Sequence, residues 1–434
     1  MLDLIDGRAQ ETPVHIPRPK VVAPGGDLEG HVQKIIDGVR LRGDEALLEY
    51  TAEFDKADLT AEQLIVDPET IAKAKSLVRP ELIDALEVMV ERLRSTCERQ
   101  APVSWFDRRP DEMVGEVVRP LRRVGVYVPG GRAAYPSTVV MSTIPARVAG
   151  VDGIAVCSPP GPTGEIAEAV LAACAVAGID EVYRMGGAQA IAAFAYGTDS
   201  VRPVEKIVGP GNAFVTAAKR AVQGWVGIDT EAGPTEIVVV ADETADPRAV
   251  AADLVAQAEH GPNGSHVLIT WVPELIDKVN EAIYREVGRH ERSDDVENAL
   301  IEGGRAVLVR DRKHALETAN AFAPEHLELV MTGALDALEE VRNAGAVFLG
   351  ASSPVSVGDY VAGTNHVLPT GGSARWASGL GVGDFVTRIY VSELEPSSLE
   401  RLADHVDALA EAEGLPAHGR AVRIRLGQDL DLGI

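Results

Sequence analysis

The sequence predicts an α/β protein with two parallel-sheet units. Its 434 residues are too many for one ordinary core, so more than one domain is expected. The apolar fraction is 46% but only 4% of residues are aromatic, so a globular core must be built from Val, Ile, Leu and Ala. From about Arg123 onward, strand-like and helix-like patterns alternate in two series. Such alternation implies parallel sheets covered by helices on both faces.

Residues 1 to about 25 are polar and punctuated by Pro, and read as an arm. From about Leu28 to Gln100 the periodicity is helical: Val32, Ile36 and Val39 share one helix face, and Leu82, Leu86, Met89 and Leu93 another. No strand signal stands out there. The first alternating series has strands at 123–128 (RVGVYV), 153–157, 181–184 and 205–208, with helices at 165–177, 188–196 and 212–222. The second has strands at 236–240 (EIVVV), 266–271, 306–310, 327–331 and 346–349. Its helices fall at 247–259, 273–287, 312–322 and 334–343. From about Gly381 come one apolar strand, 385–391, and two amphipathic helices, a small appendage. The segment 350–380 has little periodicity, is rich in Gly, Ser and Thr, and carries Asp359, Asn365, His366 and Trp376. A loop this long in a compact chain is usually functional or disordered, and its polar content favours function.

The formal net charge of −25 repels nucleic acid and anionic membranes, and both are excluded as partners. Any phosphate site must then be built from local donors. Cys97, Cys157 and Cys174 are too few and too scattered for a disulfide framework or a thiolate zinc site, and a reducing compartment is expected. The N-terminus lacks the cationic start and apolar run of a signal peptide. No segment offers the roughly 20 apolar residues of a membrane span.

Chemistry is less plain. No G-x-G-x-x-G follows a strand and opens a helix. The strings 186–189 (GGAQ) and 209–212 (GPGN) do lie between a strand and a helix, as 129–131 (PGG) follows a strand. Such turns can present backbone N–H groups to a phosphate, and they are equally ordinary βα turns. The string 257–260 (QAEH) ends a helix whose signals are Asp246 as N-cap, Pro247 in the first turn and Gly261 as stop. Gln257 and His260 share a face there. A His at that end is also favoured simply by the helix dipole. Glu325 and His326 are adjacent, and at a turn both can reach one cavity, as acid–base chemistry requires. The same dipeptide is common on surfaces.

A resemblance sharpens this reading. The strings 127–131 (YVPGG), 207–216 (IVGPGNAFVT), 232–236 (AGPTE), 257–261 (QAEHG), 323–327 (APEHL), 358–369 (GDYVAGTNHVLP) and 411–418 (EAEGLPAH) resemble, in order, signature blocks of the histidinol dehydrogenase family. They span almost the whole chain. The resemblance implies two incomplete Rossmann-like units, with small N- and C-terminal appendages that dimerise. In that layout 1–25 is an arm, and 26–122 joins 236–380 in the unit carrying the catalytic pair and most metal ligands. Residues 123–235 form the NAD-contacting unit, and 381–434 reach the partner subunit. The implied zinc ligands are Gln257, His260, Asp359 and His418, the last supplied by the partner. The implied catalytic pair is Glu325 and His326. Thr235, His366 and Glu413 correspond to further substrate contacts, alongside His326 and the zinc-liganding set. Tyr127, Gln189 and Asn212 correspond to NAD contacts. Thr235 stands where some members carry Ser, and both offer a hydroxyl.

The implied reaction is the cytoplasmic, NAD-dependent oxidation of L-histidinol to L-histidine through L-histidinaldehyde, the last step of histidine biosynthesis. His326 is then the acid–base group, Glu325 activates water, and zinc holds the substrate. Aldehyde oxidation can also proceed through a cysteine adduct, and Cys157 ends a strand where such a nucleophile could sit. No signature block contains a cysteine, and a packing role is expected for Cys157 and Cys174. A zinc hydrolase and a non-catalytic ligand-binding relative are the readings of other classes.

Overall fold

The computed structural model describes residues 1–19, 27–130, 133–231 and 233–428. Residues 20–26, Gly131 and Ala232 of two signature strings, Arg132, and 429–434 lie outside the described residues. The chain divides into a larger unit, Met1–Gln100 with Leu121–Phe385, and a smaller one, Ala101–Pro120 with Val386–Ile434.

The larger unit contains two parallel sheets. One has the strand order Glu181–Arg184, Gly153–Ser158, Arg123–Tyr127, Lys206–Val208, Gly227–Ile228. The chain builds outward from Arg123–Tyr127, then returns and builds the other way. Sheets of this kind bind ligands beyond the carboxyl ends of the strands at that reversal. Val124, Val126 and Val156 face helices Pro136–Ala149 and Glu168–Ala177. Tyr127, Ala155 and Cys157 face helices Gly187–Tyr196 and Ala213–Val222 on the opposite side. Seven of the first helix's ten residues are Ala, Gly or Ile, small or compact side chains that let it lie close to the sheet.

The other sheet has the order Asp3–Asp6, Gly304–Leu308, Ser265–Thr270, Glu236–Ala241, His326–Val330, Ala346–Leu349. Its central strands are buried throughout, because helices cover both faces. Helix Pro247–Ala258 starts as the sequence foresees: Asp246 accepts from the Arg248 N–H at 2.9 Å and Pro247 occupies the first turn. The smaller unit is a three-stranded antiparallel sheet of Trp105–Arg109, Glu112–Pro120 and Val386–Leu394, with helices Pro396–Ala412 and Pro416–Arg425 packed on each other.

Parallel α/β architecture is as expected, but three boundaries differ. The arm is not wholly an arm: Asp3–Asp6 is an edge strand of the six-stranded sheet, and Val14 and Ile16 are buried against it. The helices of 28–100 pack mainly on the five-stranded sheet and not on the six-stranded one. Their apolar faces, Val32, Ile36 and Val39 and then Leu86, Met89 and Leu93, bury against the five-stranded sheet's two faces. Helical periodicity identifies which face is apolar but not which partner covers it. Finally, residues 101–120 are strands that belong with the C-terminal appendage, and that appendage begins at Val386. Their side chains are mostly half-exposed or exposed, so the apolar alternation that marks a strand is weak.

Glu328 sits in the six-stranded sheet at 1% exposure. One of its oxygens accepts the Val355 N–H at 2.8 Å, at the start of the short helix Val355–Tyr360. Burial, and then the Asp253 carboxylate, push the Glu328 carboxyl up to about 8. A carboxyl with a raised folded pKa favours the fold in its protonated form. That contribution is complete below the unfolded value of 4.5 and is lost as pH rises through about 8. Glu328→Gln should therefore be more stable than the parent at about pH 8, and its urea midpoint should change less between about pH 5 and 8. A variant no more stable than the parent at the higher pH would show the carboxyl to be comfortably ionised.

Candidate active site

Three strand-leading segments meet at the amino edge of the six-stranded sheet. Helix Arg312–Phe322 ends at Ala323, whose φ of 55° is left-handed, and Pro324 then turns the chain into strand His326–Val330. Glu325 and His326 are delivered to the start of that strand at 7% and 4% exposure. Both are held by Glu236, the first residue of the neighbouring strand. Its N–H donates to Glu325 Oε2 at 2.8 Å, and its carbonyl accepts from His326 Nδ1 at 3.0 Å. The Thr235 hydroxyl also donates to Glu325 Oε2, at 2.7 Å. Burial pushes the Glu325 carboxyl up, opposed by His326.

A carbonyl can only accept, so Nδ1 of His326 carries a proton, and it is the Nε2 of the neutral ring that would present a lone pair. Nε2 is buried without a hydrogen-bond partner, 3.8 Å from Asp359 Oδ1. Asp359 arrives on helix Val355–Tyr360, part of the segment expected to be a functional loop. That helix lies tight on the sheet: a Cβ at Gly358 would come within 2.4 Å of the Phe348 ring. The Asp359 carbonyl accepts from His366 Nδ1 at 2.9 Å, and burial holds the His366 imidazole below its ordinary value. Gln257 donates through Nε2 to the Thr235 hydroxyl. His260 follows the same helix end and opens into a cavity of about 400 Å³ that Tyr360 also lines.

The larger unit therefore gathers Thr235, Gln257, His260, Glu325, His326, Asp359 and His366 around one edge. Glu413 and His418 belong to the smaller unit, where both are exposed. Among the described residues of this single chain, no three His, Cys, Asp or Glu side chains form a ready metal cage. The donor chemistry nonetheless suits zinc. His260 and Asp359 could supply nitrogen and oxygen donors, and Gln257, its nitrogen bonded to Thr235, has its amide oxygen available as a third.

A second cavity, of about 870 Å³, lies at the carboxyl ends of the five-stranded sheet, and Tyr127, Gln189 and Asn212 all line it. Asn212 caps helix Ala213–Val222, its Oδ1 accepting from the N–H groups of Phe214 and Val215 at 3.0 and 3.1 Å. The Tyr127 hydroxyl accepts from the Gly187 N–H at 3.2 Å, at the first turn of helix Gly187–Tyr196. Gln189 is 1% exposed, and its Oε1 is buried without a hydrogen-bond partner. Such a cavity is of the size that holds a cofactor.

The histidinol dehydrogenase family model matches residues 22–426. The chain belongs to the histidinol dehydrogenase family. It is 47% identical to the histidinol dehydrogenase of Synechococcus sp. over 404 residues, 93% of each chain. It is 46% identical to that of Methanothermobacter thermautotrophicus over 401 residues, 92% of this chain and 94% of the other. The crystal structure of histidinol dehydrogenase from Elizabethkingia anophelis superposes with a TM-score of 0.92 at 34% identity, covering 98% of both chains. The family resemblance read from the seven blocks is thus borne out.

Four polar residues at these sites escape a reading of motifs. Glu236 is 3% exposed and ion-paired with Arg18, whose Nη2 also donates to the Phe322 carbonyl at 2.7 Å. Glu236 does end a signature string, but nothing in the sequence pairs it with the arm. His266, fully buried on strand Ser265–Thr270, has both ring nitrogens unpartnered, and burial pushes its imidazole down to about 4. Asp55 lines the larger cavity from a segment with no motif.

Cys157 is fully buried and burial raises its thiol well above the ordinary value, so no thiolate is available for attack. Cys157→Ala should keep turnover within about threefold of the parent, since it removes only packing. A folded variant that loses several orders of magnitude would restore the covalent mechanism.

Proposed function

We propose that this chain performs the family's reaction, the NAD-dependent, four-electron oxidation of L-histidinol to L-histidine through L-histidinaldehyde. One observation carries the chemistry: Glu236 anchors Glu325 and His326 together and leaves His326 Nε2 buried and unpaired. Among the described residues, no helix is long and apolar enough to cross a membrane. The three cysteines are free and buried, which supports the cytoplasm as the location.

In the first half-reaction His326 Nε2 takes the hydroxyl proton of the alcohol as the carbinol hydride departs. Its Nδ1–H, fixed on the Glu236 carbonyl, keeps the basic nitrogen aimed inward. In the second half-reaction water adds to the aldehyde. Glu325 keeps Oε2 on Thr235 and the Glu236 N–H, which leaves Oε1 to draw a proton from that water. As the hydrate forms, His326 Nε2 gives the proton it took from the alcohol to the aldehyde oxygen, and it then takes a hydroxyl proton of that hydrate as the second hydride leaves. NAD⁺ supplies the hydride acceptor for both steps, at Tyr127, Gln189 and Asn212. Gln257, His260, Asp359 and the partner subunit's His418 would hold a Zn²⁺, which would supply a template for orienting the substrate. His366, Thr235 and Glu413 complete the substrate's surroundings.

The purified protein mixed with L-histidinol and NAD⁺ should form two NADH per histidinol consumed. Glu325→Gln should slow the second hydride transfer at least about tenfold more than the first in single-turnover measurements. One NADH per histidinol, or equal damage to both steps, would remove the role given to Glu325.

A homodimer with shared sites is part of the same reading. Its support is the smaller unit, where Trp105, Tyr390 and Leu409 are 49%, 83% and 65% exposed, an apolar surface unusual for a free face. Glu413 and His418 lie in that unit. Gln257→Ala and His418→Ala, each inactive alone, should complement when refolded together. Random pairing makes about half the dimers mixed, each with one intact site, so about a quarter of parental activity should return. Bound zinc should recover in proportion. Mixed dimers with no recovery would mean that each site is built within one chain.

A further inference from the structure

Asn365 comes one residue before His366 in the polar segment 350–380, and its side chain is anchored to a distant helix. Its Nδ2 donates to the Met141 carbonyl at 2.7 Å. Met141 lies in helix Pro136–Ala149, and its carbonyl is open for a physical reason. An α-helical carbonyl ordinarily accepts the N–H four residues further on. Four residues on from Met141 is Pro145, which has no N–H. The Asn365 amide therefore supplies the hydrogen bond that the proline removes. Met141 is itself fully buried, where a carbonyl is not left unpaired without cost.

The other end of the same amide holds the loop. Asn365 Oδ1 accepts from the Val367 N–H at 2.9 Å, a side-chain turn that closes around His366. The His366 ring is fixed in turn by the Asp359 carbonyl, which accepts from Nδ1 at 2.9 Å. Burial holds this imidazole below its ordinary value, so the ring is neutral near neutral pH and Nε2 is its acceptor. Among side chains of this size only an amide does both tasks: a carboxylate lacks the N–H, and an apolar side chain lacks both groups.

The anchor leads to the substrate cavity. Tyr135, Pro136 and Ser137, at the start of the same helix, line the cavity of about 400 Å³ that contains His260 and Tyr360. The loop is pressed on the neighbouring helix Pro80–Gln100 as well. Arg92 donates to the Ala362 carbonyl at 3.3 Å, and a Cβ at Gly363 would come within 3.0 Å of the Arg92 carbonyl. Val367 is buried in the core that these two helices share with the five-stranded sheet. His366 is thus held from two sides, by Asp359 at the catalytic edge and through Asn365 by a helix that walls the cavity.

We propose that Asn365 is a positioning residue, which uses the carbonyl freed by Pro145 to set His366 against the substrate. This rests on reading His366 as a substrate contact. Steady-state kinetics and thermal melting of the whole protein test it. Asn365→Ala should raise KM for L-histidinol about tenfold, the scale of one aligned hydrogen bond, and leave KM for NAD⁺ within about twofold of the parent. His366→Ala should raise KM for L-histidinol at least as much. Adding Asn365→Ala to His366→Ala should cost less than about a further twofold, because the first residue acts through the second. Pro145→Ala returns an N–H to the helix, where it competes with Asn365 for the Met141 carbonyl. It should melt no lower than the parent and still raise KM for L-histidinol at least about threefold, a pair of results that loss of fold cannot produce. Parental KM in either Asn365→Ala or Pro145→Ala, while His366→Ala raises it, overturns the proposal. So do fully additive costs of Asn365→Ala and His366→Ala. If Asn365→Ala does not fold, Pro145→Ala decides alone. If His366→Ala itself keeps the parental KM, the reading of His366 falls and this inference with it.

Discussion

Glu236 is the residue on which the catalytic edge depends. Its N–H holds the Glu325 carboxylate, its carbonyl holds the His326 ring, and its carboxylate is paired with Arg18. Strand register makes this possible: His326 lies opposite Ile237, so the residue before each meets across the sheet edge. A carboxylate buried to 3% exposure is costly unless paired, and removing the partner of such a pair typically costs about 3–5 kcal/mol. Arg18 offsets that cost, and its guanidinium also lies 3.8 Å over the Phe322 ring centroid. The N-terminal segment and the catalytic edge are therefore one structural unit, although they are over 200 residues apart in sequence.

The two sheets use opposite ends. The cofactor cavity opens at the carboxyl ends of the five-stranded sheet, where the strand order reverses, as α/β sheets ordinarily do. Glu325 and His326 instead stand at the amino end of their strand. That choice explains where the other residues come from. A helix packed antiparallel to the strands ends at their amino edge, so Gln257 and His260 come from the last turn of Pro247–Ala258 and just beyond it. Asp359 comes from a helix that Glu328 tethers from within the sheet.

At the cofactor cavity a different device replaces a glycine fingerprint. Lys219, 2% exposed, donates to the Gly209 carbonyl at 3.0 Å and pairs with Asp229, which in turn accepts the Gly209 N–H at 2.7 Å. Gly209 has φ 112°, and a Cβ there would lie 2.2 Å from the Tyr127 carbonyl. The loop 209–212 is thus drawn against the end of strand Arg123–Tyr127. This fixes Asn212 and Tyr127 relative to each other without the usual spacing of glycines.

Much of this was legible in the sequence. Alternating β-branched runs and helical periods determined the parallel α/β class, since each pattern reports which side chains are buried locally. Asp246, Pro247 and Gly261 marked the helix that carries Gln257 and His260, because capping chemistry acts within one turn. The block 323–327 named Glu325 and His326, and family membership followed from the order of the blocks. What the sequence did not carry is which distant segments meet. The helices of 28–100 were assigned to the wrong sheet, the strands 105–120 were missed, and Arg18, His266 and Asp55 had no motif. Those facts depend on long-range packing. A helix face, an edge strand or a lone arginine has a local pattern compatible with many partners. Only the closed core, in which every buried charge must find its counter-charge and every apolar face its cover, selects one of them.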